Sequence, residues 1–255
     1  MNGERVRKMV REVYGNAILQ KTGCCGPAPS AGAKADAAAA SACCSSTSAL
    51  PAQGARTSFG CGDPLALASL APGQVVVDIG SGPGADALAA GELVGPSGRV
   101  IGVDMTGPML ARAREAALEK GAANVEFRHG DAESLPVEDG LADWVISNCV
   151  VNLVPDKEKV FSEIHRVLKP GGRFSITDLV GENLPAWVLE DPAKYCACIG
   201  GAPSEEAFLD AARKAGFRDV QVSDRFEWLE PDLAGTGAKV WSIKVTGVRP
   251  SRIAA

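Results

Sequence analysis

The segment VVVDIGSGPGADALA, residues 75–89, constrains this chain more than any other. A β-branched run ends in Asp78 and Ile79, Gly80, Gly82 and Gly84 follow, and a helix-forming stretch starts at Ala85. β-Branched residues favour extended backbone. The glycines let the chain turn sharply and approach a ligand without Cβ interference. The helix start behind them offers free N–H groups. The order strand, turn, helix opens an α/β sheet with a site at its carboxyl end. Asp104 closes the next strand, RVIGVDM (99–105), about twenty residues later, where a carboxylate can accept hydrogen bonds from both hydroxyls of a ribose. The run GSGPGA also satisfies a relaxed dinucleotide pattern. The loop alone therefore indicates a nucleoside-type cofactor, against a purely structural glycine turn.

The rest of the chain continues this unit. Strands are expected at 74–80, 99–105, 125–130, 142–148 and 172–180, with helices near 84–94, 107–120 and 156–168. Alternation of this length implies a parallel sheet covered on both faces. After residue 180 the order changes to helical pieces over 183–201, a helix near 204–215 and strands at 219–229 and 238–248. The final hairpin-like pair makes a mixed sheet of about seven strands. Before the core, residues 4–20 form an amphipathic helix with Val6, Met9, Val10, Val13 and Ala17 on one face. Residues 22–57 are Ala, Ser, Gly and Pro with almost no large apolar side chains. Such a stretch buries too little surface to offset its ordering entropy and reads as a mobile arm. The expected divisions are an N-terminal helix (1–21), a Cys/Ala/Ser-rich arm (22–57), a nucleoside-binding core (58–182), a substrate-side segment with the closing strands (183–250) and a tail (251–255).

Bulk charge removes several classes. The net charge is −5 at pI about 5.2, and no Lys/Arg block offers a nucleic-acid footprint. No apolar run approaches the roughly 18–20 residues of a membrane span. The charged N-terminus lacks a signal-peptide core, so a cytoplasmic location is expected.

Three further features point away from a dinucleotide. Asp78 sits inside a D-x-G-x-G-x-G pattern, where it can order the loop and meet a cationic aminoacyl end. Asp131-Ala132 follows the third strand, placed for an adenine edge, and VLKPGGRF (167–174) leads a helix into the fifth strand. Together these residues resemble the class I methyltransferase family over roughly 60–240. The resemblance implies a Rossmann-like seven-stranded α/β fold with helices on both faces. It also implies S-adenosylmethionine as methyl donor, held by Asp78, Gly80, Ser81, Gly82, Gly84, Asp104, Met105, Asp131, Ala132 and Asn148.

A fold of this kind does not name its acceptor. The cysteines do more. There are eight, at 24, 25, 43, 44, 61, 149, 196 and 198. Without a signal peptide, thiol, metal or redox chemistry is favoured over stapling. Adjacent Cα atoms lie about 3.8 Å apart, short of the roughly 4.4 Å at which ordinary disulfides begin. Each Cys of a CC pair must therefore look elsewhere for a partner. Cys149, in SNCVVNLVPDKEKV, ends the fourth strand, which adjoins the first in a 3-2-1-4-5 sheet, where ligands bind. Cys61 precedes the first strand in FGCGDP, and Cys198 lies in CACIGGAP after the fifth. Three converging thiols suit zinc less well, since zinc takes four ligands, than a trivalent metalloid that binds three sulfurs and keeps a lone pair.

FGCGDPLALASLAPGQVVVDIGSGPGAD, SNCVVNLVPDKEKVFSEIHRVLKPGG and CIGGAPSEEAFLDAARKAGF resemble the arsenite S-adenosylmethionine methyltransferases, as does YGNAILQKTGCC near the start. The resemblance implies methylation of trivalent arsenic, supplied as a thiol complex, in arsenic detoxification. Cys61, Cys149 and Cys198 are then arsenic ligands, and Cys61 and one of Cys24 and Cys25 are redox partners. It further implies methylated arsenicals as products or later substrates, a thioredoxin- or glutathione-type reductant, a monomer, and no nucleic-acid or membrane partner. The sequence departs from the family pattern at Phe59, where Tyr is common, at Ala197, where Glu is frequent, at the extra Cys196, at the arm pair Cys43-Cys44 and in its short C-terminal region. A quinone- or sterol-type C- or O-methyltransferase and a metalloid-sequestering protein remain as alternatives. Asn152 and Asp156 read as turn and helix-cap residues, and Trp144 and Trp187 as core or pocket wall.

Overall fold

A computed structural model describes residues 3–20, 61–66 and 68–251. Cys24, Cys25, Cys43, Cys44 and Phe59, with the 22–57 arm, lie outside these residues. Helix α1 spans Gly3–Gln20. Then follow β1 (Val75–Ile79), α2 (Ala85–Val94), β2 (Arg99–Asp104), α3 (Gly107–Lys120), β3 (Val125–His129), β4 (Ala142–Asn148), α4 (Lys157–Val167) and β5 (Leu168–Glu182). The chain continues through α5 (Ala186–Glu190), α6 (Pro192–Cys196), α7 (Glu205–Lys214), β6 (Arg218–Glu227) and β7 (Lys239–Val248).

The strands form one sheet in the order β3-β2-β1-β4-β5-β7-β6. β1 to β5 run parallel, and β7 lies antiparallel to both β5 and β6. β1, β2 and β4 are buried almost throughout, as expected of strands covered on two faces. One face packs under α2 and α3 around Leu88, Leu110 and Trp144, and the other under α4 and α7 around Phe161, Phe174 and Phe208. Sequence order reverses between β1 and β4, which opens a crevice outside the strand ends. Among the described residues, no helix is long and apolar enough to cross a membrane.

Most expected elements appear within a residue or two. Asp156 caps α4 by accepting the Lys159 N–H, as its position suggested. β5 starts four residues earlier than expected, because Leu168 pairs with Ala142 before an irregularity in register. α1 buries Val6, Val10 and Ala17 but leaves Val13 on the exposed edge. Trp144 is core, whereas Trp187 is 45% exposed and does not line the crevice at the strand ends. A third apolar cluster sits at the carboxyl ends of the strands, where α1, α5 and α6 converge. It contains Cys61, Cys149, Cys196 and Cys198.

Candidate active site

The glycine loop sets one end of the crevice. Gly80 has φ 68°, and a Cβ there would lie 2.2 Å from the Val150 side chain. Only glycine satisfies both demands. Gly82, at φ 51°, has nothing within 4 Å of where its Cβ would be, so that face is open. Gly84 faces away from the crevice, against the Phe127 ring. The crevice is lined by Asp78, Gly80, Ser81, Gly82, Asp104, Met105, Asp131, Ala132 and Asn148, among others. Of the ten residues expected to hold the cofactor, only Gly84 lies off this lining.

Its charged lining is mostly acidic, with Asp78, Asp86, Asp104 and Asp131 against Arg7. The Asp104 carboxylate accepts the Gly82 N–H at 2.9 Å and the Thr106 N–H at 2.7 Å. Burial raises its pKa, and those two N–H bonds partly oppose the shift. Asp78 is held well above the usual carboxylate range, first by burial and then by the charges of Asp86 and Asp104. Asp78 Oδ2, Ser81 Oγ and Asn148 Oδ1 are buried without a hydrogen-bond partner. Such orphaned acceptors fit a ligand that brings donors and positive charge. The aminoacyl end and sulfonium of S-adenosylmethionine meet that description.

Helix α1 roofs this end, which the sequence did not suggest. Arg7, Val10 and Tyr14 line the crevice at helical spacing. Arg7 pairs with Asp131 at 3.0 Å and with Glu133. The Tyr14 hydroxyl donates to the Cys196 carbonyl at 2.9 Å.

The other end is built from turns. Cys149 and Cys198 have φ 57° and 65°. The other described non-glycine residues at positive φ are Asn183 and Asp219, types that visit this region readily. Cysteine does not, and such strain persists only where the surroundings enforce it. Cys149 lines the crevice, and Cys61 and Cys198 do not. The Cys61 strap is fixed by Ser242 Oγ donating to the Cys61 carbonyl at 3.1 Å and by Asn148 Nδ2 donating to the Gly62 carbonyl at 2.7 Å.

The expected set of three free thiols is not what the structure contains. Cys61 and Cys149 are joined in a disulfide across a Cα separation of 5.9 Å, while Cys196 and Cys198 are free. Cys61 is thus paired with Cys149, and its expected redox partners Cys24 and Cys25 lie outside the described residues. The physical reason for the pairing is the strap, which places the Cys61 N–H 3.1 Å from Cys149 Sγ. Cys198 Sγ donates to the Cys149 carbonyl at 3.1 Å, which brings all three cysteines to the end of β4, although among the described residues the ligand atoms that lie within 4.8 Å of one another are those of Cys61, Cys149 and Asp178, without Cys198. Burial pushes the Cys196 thiol up to about 11. Burial, with Asp178 nearby, holds Cys198 well above the ordinary thiol range.

Polar residues that sequence reasoning passed over lie beneath the cysteines. Asp178 is fully buried, and a carboxylate oxygen lies within 4.8 Å of both Cys61 and Cys149 sulfurs. It accepts the Leu179 and Asn152 N–H groups, and burial raises it to about 7. Burial lowers Lys157, against the attraction of Asp178 and Cys198. Asn152, read as a turn residue, is fully buried between these segments.

A family model described as "Methyltransferase domain" matches residues 70–216. An arsenite methyltransferase of Halobacterium salinarum is 40% identical over 243 residues, covering 89% of this chain and 61% of that protein. An arsenite methyltransferase of Aquipseudomonas alcaligenes is 43% identical over 172 residues, covering 64% of this chain and 49% of its own. This chain therefore spans only half to three fifths of the length of these relatives. A solved arsenic(III) S-adenosylmethionine methyltransferase from Chlamydomonas reinhardtii matches with TM-score 0.66 and 38% identity, over 73% of this chain and 66% of that one.

Proposed function

The chain belongs to the methyltransferase-domain family, and on that premise we propose that it methylates trivalent arsenic from S-adenosylmethionine, holding the arsenic on cysteine thiolates. The observation that carries the reading is the meeting of Cys61, Cys149 and Cys198 at the mouth of β4, with Cys149 on the wall of the cofactor crevice. The likeness to arsenite methyltransferases supports the same choice of acceptor.

At the first end, Asp78, Ser81 and Asn148 carry the acceptors that meet the aminoacyl group. Asp104 takes the ribose, and Asp131, Ala132 and Met105 take the adenine side. Bound there, S-adenosylmethionine supplies an electrophilic methyl group on a sulfonium centre. At the second end, reduced Cys149 and Cys198, with Cys61, bind arsenic by ligand exchange. Each thiol proton leaves with a displaced hydroxyl as water, or with a displaced thiolate as thiol. Protonated, buried thiols therefore suffice, and the chain needs no general base for loading. The arsenic lone pair then faces the crevice, and catalysis is chiefly alignment.

Methylation raises arsenic formally to the pentavalent state. Its return to the trivalent state takes two electrons from two thiols and leaves a disulfide. On this reading the Cys61–Cys149 bond is an oxidised form that cannot hold arsenic. A thioredoxin- or glutathione-type reductant resets it by thiol–disulfide exchange. Cys24 and Cys25 are proposed to join this exchange.

The test is incubation of the reduced protein with arsenite, S-adenosylmethionine and a dithiol, following arsenic speciation with time. Methylated arsenicals should accumulate together with S-adenosylhomocysteine. Bound arsenic without S-adenosylhomocysteine would indicate sequestration. Turnover of an organic acceptor with indifference to arsenite would indicate a quinone- or sterol-type enzyme.

A further inference from the structure

The turn at Cys198 is closed behind α6 by its own N–H on the Tyr195 carbonyl at 3.0 Å and by the Ile199 and Gly200 N–H groups on the Lys194 carbonyl, which leaves the Cys198 carbonyl to be docked on the rest of the fold. Helix α6 ends at Cys196, and Cys198 then adopts φ 65°. The loop that follows packs tightly on Asn152. A Cβ on Gly201 would lie 2.0 Å from the Asn152 carbonyl oxygen. From the other side, Asn152 Nδ2 donates to the Cys198 carbonyl at 3.1 Å and to the Leu179 carbonyl at 2.6 Å. The two donors of one amide thus tie the strained residue to β5. The Asn152 backbone N–H is itself fixed by Asp178 Oδ2 at 3.1 Å. With its carbonyl held, the Cys198 side chain turns toward Cys149, whose carbonyl accepts its S–H.

We propose that Asn152 is a positioning residue for Cys198: its side-chain amide docks the left-handed turn on β5 and so aims the third sulfur at the arsenic site. This rests on the reading of Cys198 as an arsenic ligand. Asn152 touches neither arsenic nor cofactor. Its amide is chosen over a carboxylate because both neighbours are carbonyls, which accept hydrogen bonds and repel a second acceptor. A leucine of similar size supplies no donor and leaves both carbonyls buried and unpaired.

The experiment compares wild type, Asn152→Leu and Asn152→Ser in the full chain, reduced and loaded with arsenite alone. The readouts are arsenic–sulfur coordination by X-ray absorption, arsenite KM and S-adenosylmethionine affinity. Wild type should bind arsenic through three sulfurs. Asn152→Leu should bind it through two and raise the arsenite KM about 10- to 100-fold, the range for loss of a residue that orients a metal ligand. Cofactor affinity should stay within about twofold, the scale of change at an independent site. Asn152→Ser, which keeps one donor, should fall between. Adding Cys198→Ser to Asn152→Leu should cost no further affinity, because the third sulfur is already lost.

Three-sulfur binding with an unchanged KM in Asn152→Leu would overturn the inference while leaving arsenic methylation standing. If wild type fails to take three sulfurs, the ligand reading falls, and this inference falls with it. If Asn152→Leu and Asn152→Ser both lose cooperative unfolding, the amide supports the cleft at large, and the specific role for Cys198 is wrong.

Discussion

The two ends of the crevice are held in place by different means. At the glycine loop the geometry comes from the backbone. Gly80 and Gly82 adopt turns that follow directly from β1, and Asp104 ends the neighbouring strand. At the cysteine end the geometry comes from long-range tethers. Ser242 holds Cys61 across 181 residues, Tyr14 holds Cys196 across 182, and Asn152 holds Cys198 across 46. At the first end two raised carboxyl groups, Asp78 and Asp104, face the crevice, while at the second the cysteines sit in an apolar cluster over the single raised carboxyl of Asp178. A cation suits the first and a neutral, thiophilic centre suits the second. The two substrates should therefore be separable by mutation.

The largest expected effect is at the cysteines. Cys149→Ser should abolish arsenite methylation, and Cys198→Ser should raise the arsenite KM at least as far as Asn152→Leu does, while calorimetry still detects cofactor binding to both. Full turnover in Cys149→Ser, or an unchanged arsenite KM in Cys198→Ser, would end the thiolate reading. Asp104→Asn should do the converse. It removes charge from the proposed ribose site while its carbonyl can still accept one loop N–H. Cofactor affinity should fall by about 10- to 100-fold, the cost of roughly 1.5–3 kcal/mol for a charged hydrogen bond. Arsenite binding to the reduced protein should not change, and a parallel loss would show that the ends are not independent.

A smaller effect concerns protons. Asp78 is raised above its ordinary value, so falling pH protonates it early and removes an attraction for a cation. Sulfonium binding favours the ionised form and pulls that pKa back down. Binding should therefore release protons, and cofactor affinity should fall as pH is lowered. Titrations in buffers of different ionisation enthalpy measure this directly. Asp78→Asn should remove the proton release, and an unchanged release would assign it to another group. The folding sign is opposite. A carboxyl raised in the folded state stabilises most at low pH, and that contribution is lost as pH rises from about 4, the unfolded value.

The contrast between the ends also explains what could be read from the sequence. Gly80, Gly82 and Asp104 are legible because each answers a local backbone or strand-end requirement. Cys149 is legible because β4 has a clear register and its end falls at the point where strand order reverses. The Asn152 amide, the Asp178 carboxyl under the sulfurs and the Arg7 pair with Asp131 and Glu133 are not legible. Each depends on segments that meet only after the sheet has formed. Asn152 looks like a turn residue because it is one. Its second task appears only when the 198–201 loop lands on it. The Cys61–Cys149 bond escaped for a similar reason, since nothing local to FGCGDP indicates how the strap crosses β4 and β7.

Arg7 offers the smallest and most discriminating test, because α1 touches both ends. Its guanidinium pairs with Asp131 and with the buried Glu133, and Tyr14 on the same helix holds the Cys196 carbonyl. Arg7→Ala removes a partly exposed ion pair, an effect of about 1 kcal/mol or a little more. That corresponds to a rise of roughly 5- to 10-fold in cofactor KM. If α1 is only a roof for the nucleoside, arsenite KM should stay at its wild-type value. If undocking its first turns also loosens Tyr14, both constants should rise together, and Tyr14→Phe should reproduce only the arsenite part. The first outcome keeps the ends separate. The second makes α1 the element that joins them, with the cost passing along the helix from Arg7 to the cysteine loop.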